Sequence, residues 1–270
     1  MSGFASTAAP ARGPAALAAA RVRGVPLPVV AAIAAAWAAA LAAEATGTSA
    51  LVHHDRLLSN GLPSVWAVVG FLAAWQVMVA AMMLPSSLPL VAMFASASAR
   101  APGKGRAMTA FLGGYALVWT AFGALAFAGD LALHSAVDAS SFLADHEWVI
   151  GGSVIALAGL FQFTPLKDAC LDKCRHPASF MVRHYRRGAA GGFALGARHG
   201  LFCVGCCWAL MLVMFALGAT SLILMALLTA LMVHEKTRPA GRRAVPVTGV
   251  TLLAVASVVL AYSGYAASAG

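Results

Sequence analysis

Short charged segments divide the chain into seven long apolar runs, and this pattern restricts the fold more than any other feature. A run of about 20 apolar residues is long enough to cross the hydrocarbon core of a bilayer as a helix. Of the 270 residues, 61% are hydrophobic and 10% are charged, which is too little charge to cover a soluble surface. The pattern predicts an all-α, polytopic transmembrane helical bundle of about seven helices. The predicted spans are 26–43, 65–84, 107–128, 148–164, 190–217, 219–233 and 245–267.

Lysine and arginine cluster before the first span and after the second, fourth and sixth spans. Basic loops stay on the cytoplasmic side, so we expect a protein of the bacterial inner membrane with its amino terminus in the cytoplasm. Because these residues lie in loops rather than along one face, the net charge of +9 indicates topology and contact with the lipid bilayer, and no nucleic acid partner is expected. Residues 1–24 are predicted to form a basic cytoplasmic segment and residues 25–270 a single transmembrane domain.

Two regions leave the number of crossings open. The alanine-rich first span also fits a cleaved signal peptide, which would leave six helices, although a retained helix is favoured. The uncharged run 57–99 is long enough for two crossings. A single crossing that ends at Pro85, followed by a cytoplasmic or kinked segment around Ser86, Ser87 and Pro89, keeps the basic loops on one side. The fifth and sixth runs are also consistent with a re-entrant hairpin.

The strongest chemical pattern is a stripe of soft ligands in the fifth predicted span. His199, Cys203, Cys207 and Met211 follow one another at intervals of four residues and therefore share one face of a helix. Cys206 faces about 100° away from Cys207 and is expected to reach a different helix. Thiolate, thioether and imidazole groups together suit Cu(I), or zinc if the cysteines dominate. Ordinary buried packing is the alternative for each residue alone, but three cysteines within five residues favour a metal or redox site.

A second set of soft ligands lies at the end of the second predicted span. Met78 and Met82 are four residues apart, and Met83 is adjacent to them. With a helical rise of about 1.5 Å per residue, Met78 and His199 lie at nearly the same depth in the bilayer. The two stripes are therefore able to meet around one metal ion. Helix packing is the alternative interpretation of such a methionine stripe.

A third pair of cysteines follows the fourth predicted span. Cys170 and Cys174 are again four residues apart, and His176 comes two residues later. Three donors without a paired C-x-x-C motif are a weak match to a structural zinc site. The basic, solvent-near surroundings predict exposed thiolates that exchange a metal ion on the cytoplasmic side. An interfacial helix whose cysteines have no function is the alternative.

These segments together resemble the bacterial family of predicted metal-binding integral membrane proteins, some members of which are labelled copper chaperones. The resemblance covers roughly residues 65–240 and implies metal binding by the Met, Cys and His positions. It implies no catalytic mechanism. The matching segments are Trp75-x-x-Met78-x-x-Ala81-Met82-Met83-Leu84-Pro85, Gln162-x-x-Pro165-Leu166-Lys167-x-x-Cys170-x-x-x-Cys174-Arg175-x-Pro177, His199-Gly200-x-x-Cys203-x-Gly205-Cys206-Cys207-Trp208-x-Leu210-Met211 and Glu235-Lys236.

The sequence therefore predicts membrane-embedded binding of a soft transition metal, with Cu(I) favoured and zinc as the second choice. The protein would act as a chaperone, insertion factor or carrier, with a metal-donor or metal-acceptor protein or a larger membrane complex as partner. No enzyme is expected, because the chain has no P-loop, Rossmann, H-E-x-x-H or G-x-S-x-G motif. One alternative is a thiol–disulfide electron carrier that uses Cys203 and Cys206 with Cys170 and Cys174. The other is a structural subunit of a larger membrane complex.

Overall fold

The computed structural model describes residues 24–47, 64–216 and 221–269, which form eleven α-helices and contain no strand. The all-α part of the predicted fold is thereby confirmed. The helices are α1 (Leu27–Ala45), α2 (Ser64–Met82), α3 (Leu84–Ser98), α4 (Lys104–Asp138), α5 (Ser141–Asp145), α6 (Glu147–Phe161), α7 (Pro165–Arg175), α8 (Pro177–His184), α9 (Gly188–Ala216), α10 (Leu222–Thr237) and α11 (Gly241–Ala269).

Five of the described helices are long and apolar enough to cross a membrane, namely α1, α2, α4, α9 and α11. Helices α6 and α7 meet this standard only as a pair, and a bend of 66° separates them. Helix α10 has 16 residues and is not among the candidate spans. Helices thus occupy all seven predicted positions, but length and composition support five or six crossings. The seventh crossing, the location of the amino terminus and the domain division stay predictions.

Helix α9 lies at the centre of the bundle and packs against α4, α6 and α7. Gly192, Gly196 and Gly200 recur every four residues on the side of α9 that meets α4. A Cβ atom on Gly196 would overlap the carbonyl oxygen of Phe111, so the two backbones are in direct contact. Small residues allow this close approach between helices. Cys203 continues the same face of α9 one turn further along.

A break at Met83 separates α2 from α3. Pro85 has no N–H group, so it cannot donate to the carbonyl of Ala81 as a helical residue would. The indole Nε1 of Trp37 in α1 donates to this carbonyl instead, at 3.1 Å. The expected kinked segment is therefore a second helix, and α3 carries the hydroxyl groups of Ser86 and Ser87 into the buried interior.

A buried ion pair ties α7 to α10. The ammonium of Lys167 lies 2.8 Å from a carboxylate oxygen of Glu235, and both side chains are almost completely buried. The Nε atom of Arg175 donates to the backbone carbonyl of Glu235 at 2.7 Å. These two contacts hold the amphipathic helix α7 against the bundle and orient the next residue, Lys236, toward α9.

Candidate functional site

The predicted stripe of soft ligands on α9 forms one buried face of that helix. His199 is 5% exposed, Cys203, Cys207 and Met211 are each at most 1% exposed, and Met214 continues the face. Because α9 is continuous from Gly188 to Ala216, the four-residue spacing keeps these side chains in line. The three residues Cys203, Cys207 and Met211 belong to one core cluster of the bundle.

The thioether of Met83 reaches this stripe. Its Sδ atom lies 3.6 Å from the Sγ atom of Cys207, and Met83 is completely buried. Met82 is buried in the same core cluster, and the half-buried Met78 packs against it. The methionine stripe of α2 and the soft-ligand stripe of α9 therefore meet in one core, where Met83 contacts the Cys207 thiol. Met83 lies at the break before Pro85, between α2 and α3.

The ammonium group of Lys236 in α10 lies beside the thiols of Cys203 and Cys207. Its Nζ atom lies 3.2 Å from the Sγ atom of Cys203 and 3.8 Å from that of Cys207. A third partner is the hydroxyl oxygen of Ser86, at 3.2 Å. Lys236 is only 4% exposed, so this cation is buried among sulfur and hydroxyl acceptors. We call Met83, Cys203 and Cys207 the sulfur cluster, and Lys236 is its cationic neighbour.

Tyr115 and Ser87 connect His199 to the sulfur cluster. The Tyr115 hydroxyl hydrogen-bonds to the Sγ atom of Cys203 at 3.2 Å, and the Ser87 hydroxyl lies 3.4 Å from the Tyr115 hydroxyl. His199 Nε2 hydrogen-bonds to Ser87 at 3.0 Å, and its ring stacks on Tyr115. Among the contacts of the described residues, His199 thus reaches Cys203 through two hydroxyl groups rather than directly.

Cys206 projects from α9 toward α7, as expected for a residue about 100° from Cys207. Its thiol is close enough to the thiol of Cys174 for the two groups to interact. Cys170 packs beside it, because its Sγ atom occupies the space in front of Gly205 on α9. The cysteines of α7 and α9 therefore form a continuous group across the two helices.

The expectation of solvent-exposed thiols on α7 is wrong for Cys170, which is 8% exposed, whereas Cys174 is half-buried. Cys170 belongs to the core cluster and Cys174 packs against it. His176 follows the end of α7, and its exposed ring lies 3.1 Å from a carboxylate oxygen of Asp172. The structure brings Cys170 and Cys174 to the sulfur cluster's neighbourhood and leaves His176 at the surface.

Soft donors dominate the interior of the site. Within residues 24–47, 64–216 and 221–269, no group of three His, Cys, Asp or Glu side chains is arranged to hold a metal ion. The Met83 thioether therefore adds a third soft donor to the thiols of Cys203 and Cys207. The thiols of Cys206 and Cys207 donate to the backbone carbonyl of Cys203, at 3.1 Å and 2.8 Å, and a bound metal would replace the Cys207 proton.

Four residues of the site were not predicted as members of it, namely Ser86, Ser87, Tyr115 and Lys236. Lys236 is a charged residue at the end of a predicted span, which is a signal for a functional position. Tyr115 is a hydroxyl-bearing residue in the middle of an uncharged run. The two serines follow Pro85, where a helix break turns side chains toward new neighbours.

A family model described as the PpoB2 copper chaperone family matches residues 72–259. The match covers every residue of the candidate site, from Met78 to Lys236, and most of α11. The resemblance to copper chaperone-labelled proteins is confirmed, and the matched region continues beyond the predicted limit near residue 240. No curated protein and no solved structure matches the chain significantly.

Proposed function

Because the chain belongs to the PpoB2 copper chaperone family, we propose that it binds Cu(I) as cargo at the sulfur cluster inside a membrane-embedded helical bundle. The observation that carries the proposal is the 3.6 Å contact between the Met83 thioether and the Cys207 thiol in a fully buried place. Copper handling is the common property of the chaperone, insertion factor and carrier roles that this arrangement would serve.

The donor set of the cluster fits Cu(I) chemically. Thiolate and thioether sulfur atoms are soft ligands, and soft ligands select Cu(I) among the common biological metals. The Met83 thioether binds without losing a proton, so it adds a ligand without adding charge to a buried site. Zinc is the second candidate, since it also accepts thiolate ligands.

The remaining predicted ligands surround the cluster at short range. Met82 and Met211 are buried in the same core, and Met78 packs at its edge. In the proposal these thioethers bind Cu(I) transiently as it moves to or from Cys203 and Cys207. His199 has a positioning role, because its hydrogen bond to Ser87 helps to hold the Tyr115 hydroxyl against Cys203.

The cysteines of α7 provide an exchange route toward the cluster. Cys174 is partly exposed and its thiol lies close to the buried thiol of Cys206, and Cys170 packs beside this pair at Gly205. In the proposed transfer, Cu(I) forms a bond to Cys206 sulfur as its bond to Cys174 sulfur breaks. A metal-donor or metal-acceptor protein, or a larger membrane complex, would meet the chain at the exposed end of α7, near His176.

The proposed location is a bacterial inner membrane, with the amino terminus in the cytoplasm. Five described helices are long and apolar enough to span a bilayer. The basic residues of α7, α8 and the following turn belong to one of the four basic segments that the positive-inside rule assigns to the cytoplasm. The exchange route of α7 then opens on the cytoplasmic side.

Elemental analysis and thiol titration of the purified, detergent-solubilised protein after loading with Cu(I) test the proposal. We expect stoichiometric copper in the wild type and loss of this copper in the double variant Cys203→Ser, Cys207→Ser. A matched control is Ala209→Ser, which introduces a hydroxyl at a buried position of the same helix and leaves all five cysteines in place. Copper retained by the double variant, or absent from the wild type, would contradict the proposal.

The proximity of Cys174 to Cys206 also favours a second candidate function, a thiol–disulfide electron carrier. Oxidation of the two thiols would form one disulfide and pass two protons and two electrons to an acceptor disulfide or quinone, which is reduced to a dithiol or quinol. This function gives the Met83–Cys207 contact no role. A metal-free protein with a reversible disulfide would support it, and a protein with neither copper nor a reversible disulfide would point to a structural subunit of a larger membrane complex.

A further inference from the structure

The buried Lys236 ammonium has a full set of acceptors around it. Lysine carries three N–H donors and no acceptor. The three partners of Lys236 are the hydroxyl of Ser86 and the sulfur atoms of Cys203 and Cys207, so one acceptor is available for each donor. The number of acceptors and their distances therefore fit a charged ammonium group whose hydrogen bonds all go to the protein rather than to water.

No carboxylate of the described residues forms an ion pair with this ammonium. The adjacent carboxylate of Glu235 pairs with Lys167 at 2.8 Å. A charge at low exposure is costly unless an opposite charge is close to it. The sulfur atoms of Cys203 and Cys207 are the acidic groups in direct contact with this ammonium, and they balance its charge when they lose their protons.

The charge of the loaded site depends on the metal. Each thiol that coordinates a metal ion releases its proton to solvent and becomes a thiolate. Two thiolates, one ammonium and one monovalent ion sum to zero charge, and the Met83 thioether leaves this sum unchanged. A divalent ion on the same two thiolates leaves one positive charge in a buried place. Without the ammonium, the divalent ion gives the neutral sum.

We propose that Lys236 determines the metal specificity of the sulfur cluster, because its fixed positive charge favours a monovalent cation such as Cu(I) over a divalent cation such as Zn²⁺. This inference rests on the proposed function of the sulfur cluster and adds a specificity-determining residue to it. Lys236 contacts both thiol ligands and is not itself a metal ligand, since an ammonium has no free electron pair.

The experiment compares Cu(I) and Zn²⁺ binding to the full-length, detergent-solubilised protein by competition with chelators of known affinity. In Lys236→Met we expect weaker Cu(I) binding and tighter Zn²⁺ binding, so that the ratio of the two affinities falls at least about tenfold. Lys236→Arg keeps the charge and is expected to keep the preference for Cu(I). Lys173→Met removes the same charge from an exposed position on α7 and is expected to leave the ratio unchanged.

Several outcomes would overturn the inference. A folded Lys236→Met variant whose affinity ratio stays within about threefold of the wild type would do so. If this variant does not fold, Lys236→Gln provides a neutral polar replacement that is subject to the same criterion. The comparison repeated in a Cys206→Ser background removes the third buried thiol of α9, and a ratio change that disappears there would assign the charge balance to Cys206 instead of Cys203 and Cys207. A wild type that binds no Cu(I) would instead contradict the proposed function.

Discussion

The thioether sulfur of Met83 lies 3.6 Å from the thiol sulfur of Cys207, although 124 positions separate the two residues in the chain. The contact depends on two local features. A helix break before Pro85 places Met83 between α2 and α3, and the close packing of α4 and α9 holds Cys207 in the centre of the bundle. Two unrelated parts of the sequence thus supply the soft ligands of one site.

Replacing Met83 by leucine removes the thioether and keeps a side chain of similar volume. We expect Cu(I) affinity to fall at least about tenfold, equivalent to about 1.4 kcal/mol, because the cluster loses one of its three sulfur ligands. Titration against a Cu(I) chelator measures this change. The matched control is Met214→Leu, at a completely buried position on α9. Equal losses in the two variants would show that general packing, rather than the Met83 sulfur, controls affinity.

The ion pair between Lys167 and Glu235 makes a prediction about stability. Glu235→Gln leaves the Lys167 ammonium buried without its counter-ion, and we expect a loss of about 3–5 kcal/mol in the free energy of unfolding. The double variant Lys167→Met, Glu235→Leu removes both charges and is expected to recover most of this loss. Thermal unfolding of the detergent-solubilised protein, followed by circular dichroism, compares the variants.

An exposed ion pair between α7 and α11 provides the control for this measurement. Arg242 lies 3.4 Å from Asp172, and both side chains are substantially exposed. Arg242→Gln is expected to change stability by less than about 1 kcal/mol. A double Lys167–Glu235 variant as unstable as Glu235→Gln would mean that the pair has a role beyond charge neutralisation.

The glycine stripe of α9 makes a second prediction about stability. In Gly196→Ala, the new methyl group would overlap the backbone carbonyl of Phe111, which cannot move aside as a flexible side chain could. We expect a destabilisation of about 1–3 kcal/mol in the same unfolding assay. Gly113→Ala on α4 is the control, because no atom lies within 4 Å of its added Cβ, and alanine favours a helix by up to about 1 kcal/mol. An undisturbed Gly196→Ala variant would argue against direct backbone contact between α4 and α9.

The proximity of Cys174 and Cys206 is testable by oxidation. Diamide takes up the two protons and two electrons released when two thiols form a disulfide. We expect the Cys174–Cys206 disulfide to be the main product in metal-free protein and to slow the later loading of the sulfur cluster with Cu(I), since neither thiol of the exchange route is then able to bind the metal. Mass spectrometry of the digested protein identifies the linked pair. Equal loading rates of the reduced and the oxidised protein would exclude Cys174 and Cys206 from the exchange route.

Periodicity was sufficient to predict the face of α9. His199, Cys203, Cys207 and Met211 share one buried side of a helix because their four-residue spacing determines their direction from a straight axis. The orientation of Cys206 toward a different helix followed from the same geometry. Copper as the expected metal followed from the chemical types of these residues, whereas the copper chaperone-labelled family followed from the resemblance of the matching segments to that family.

Contacts between different helices were not predictable from residue spacing along the chain. The phase of a helix is lost at a break, so the pattern Met78, Met82 did not reveal that Met83 makes the direct contact. Lys236 meets Cys203 through the packing of α10, and no local spacing relates these positions. The buried orientation of Cys170 and Cys174 depends on the bend between α6 and α7, which the sequence indicated only by Pro165.

The hydrogen bond from Trp37 to Ala81 connects α1 to the segment that positions Met83. Helix α1 lies outside the matched region 72–259, yet its indole group satisfies the carbonyl that is left free two residues before Met83. Proteolytic processing that removes residues 27–45 would therefore leave every soft ligand in the chain and still disturb the position of one of them. Maturation at the amino-terminal end would then act as a control on copper affinity.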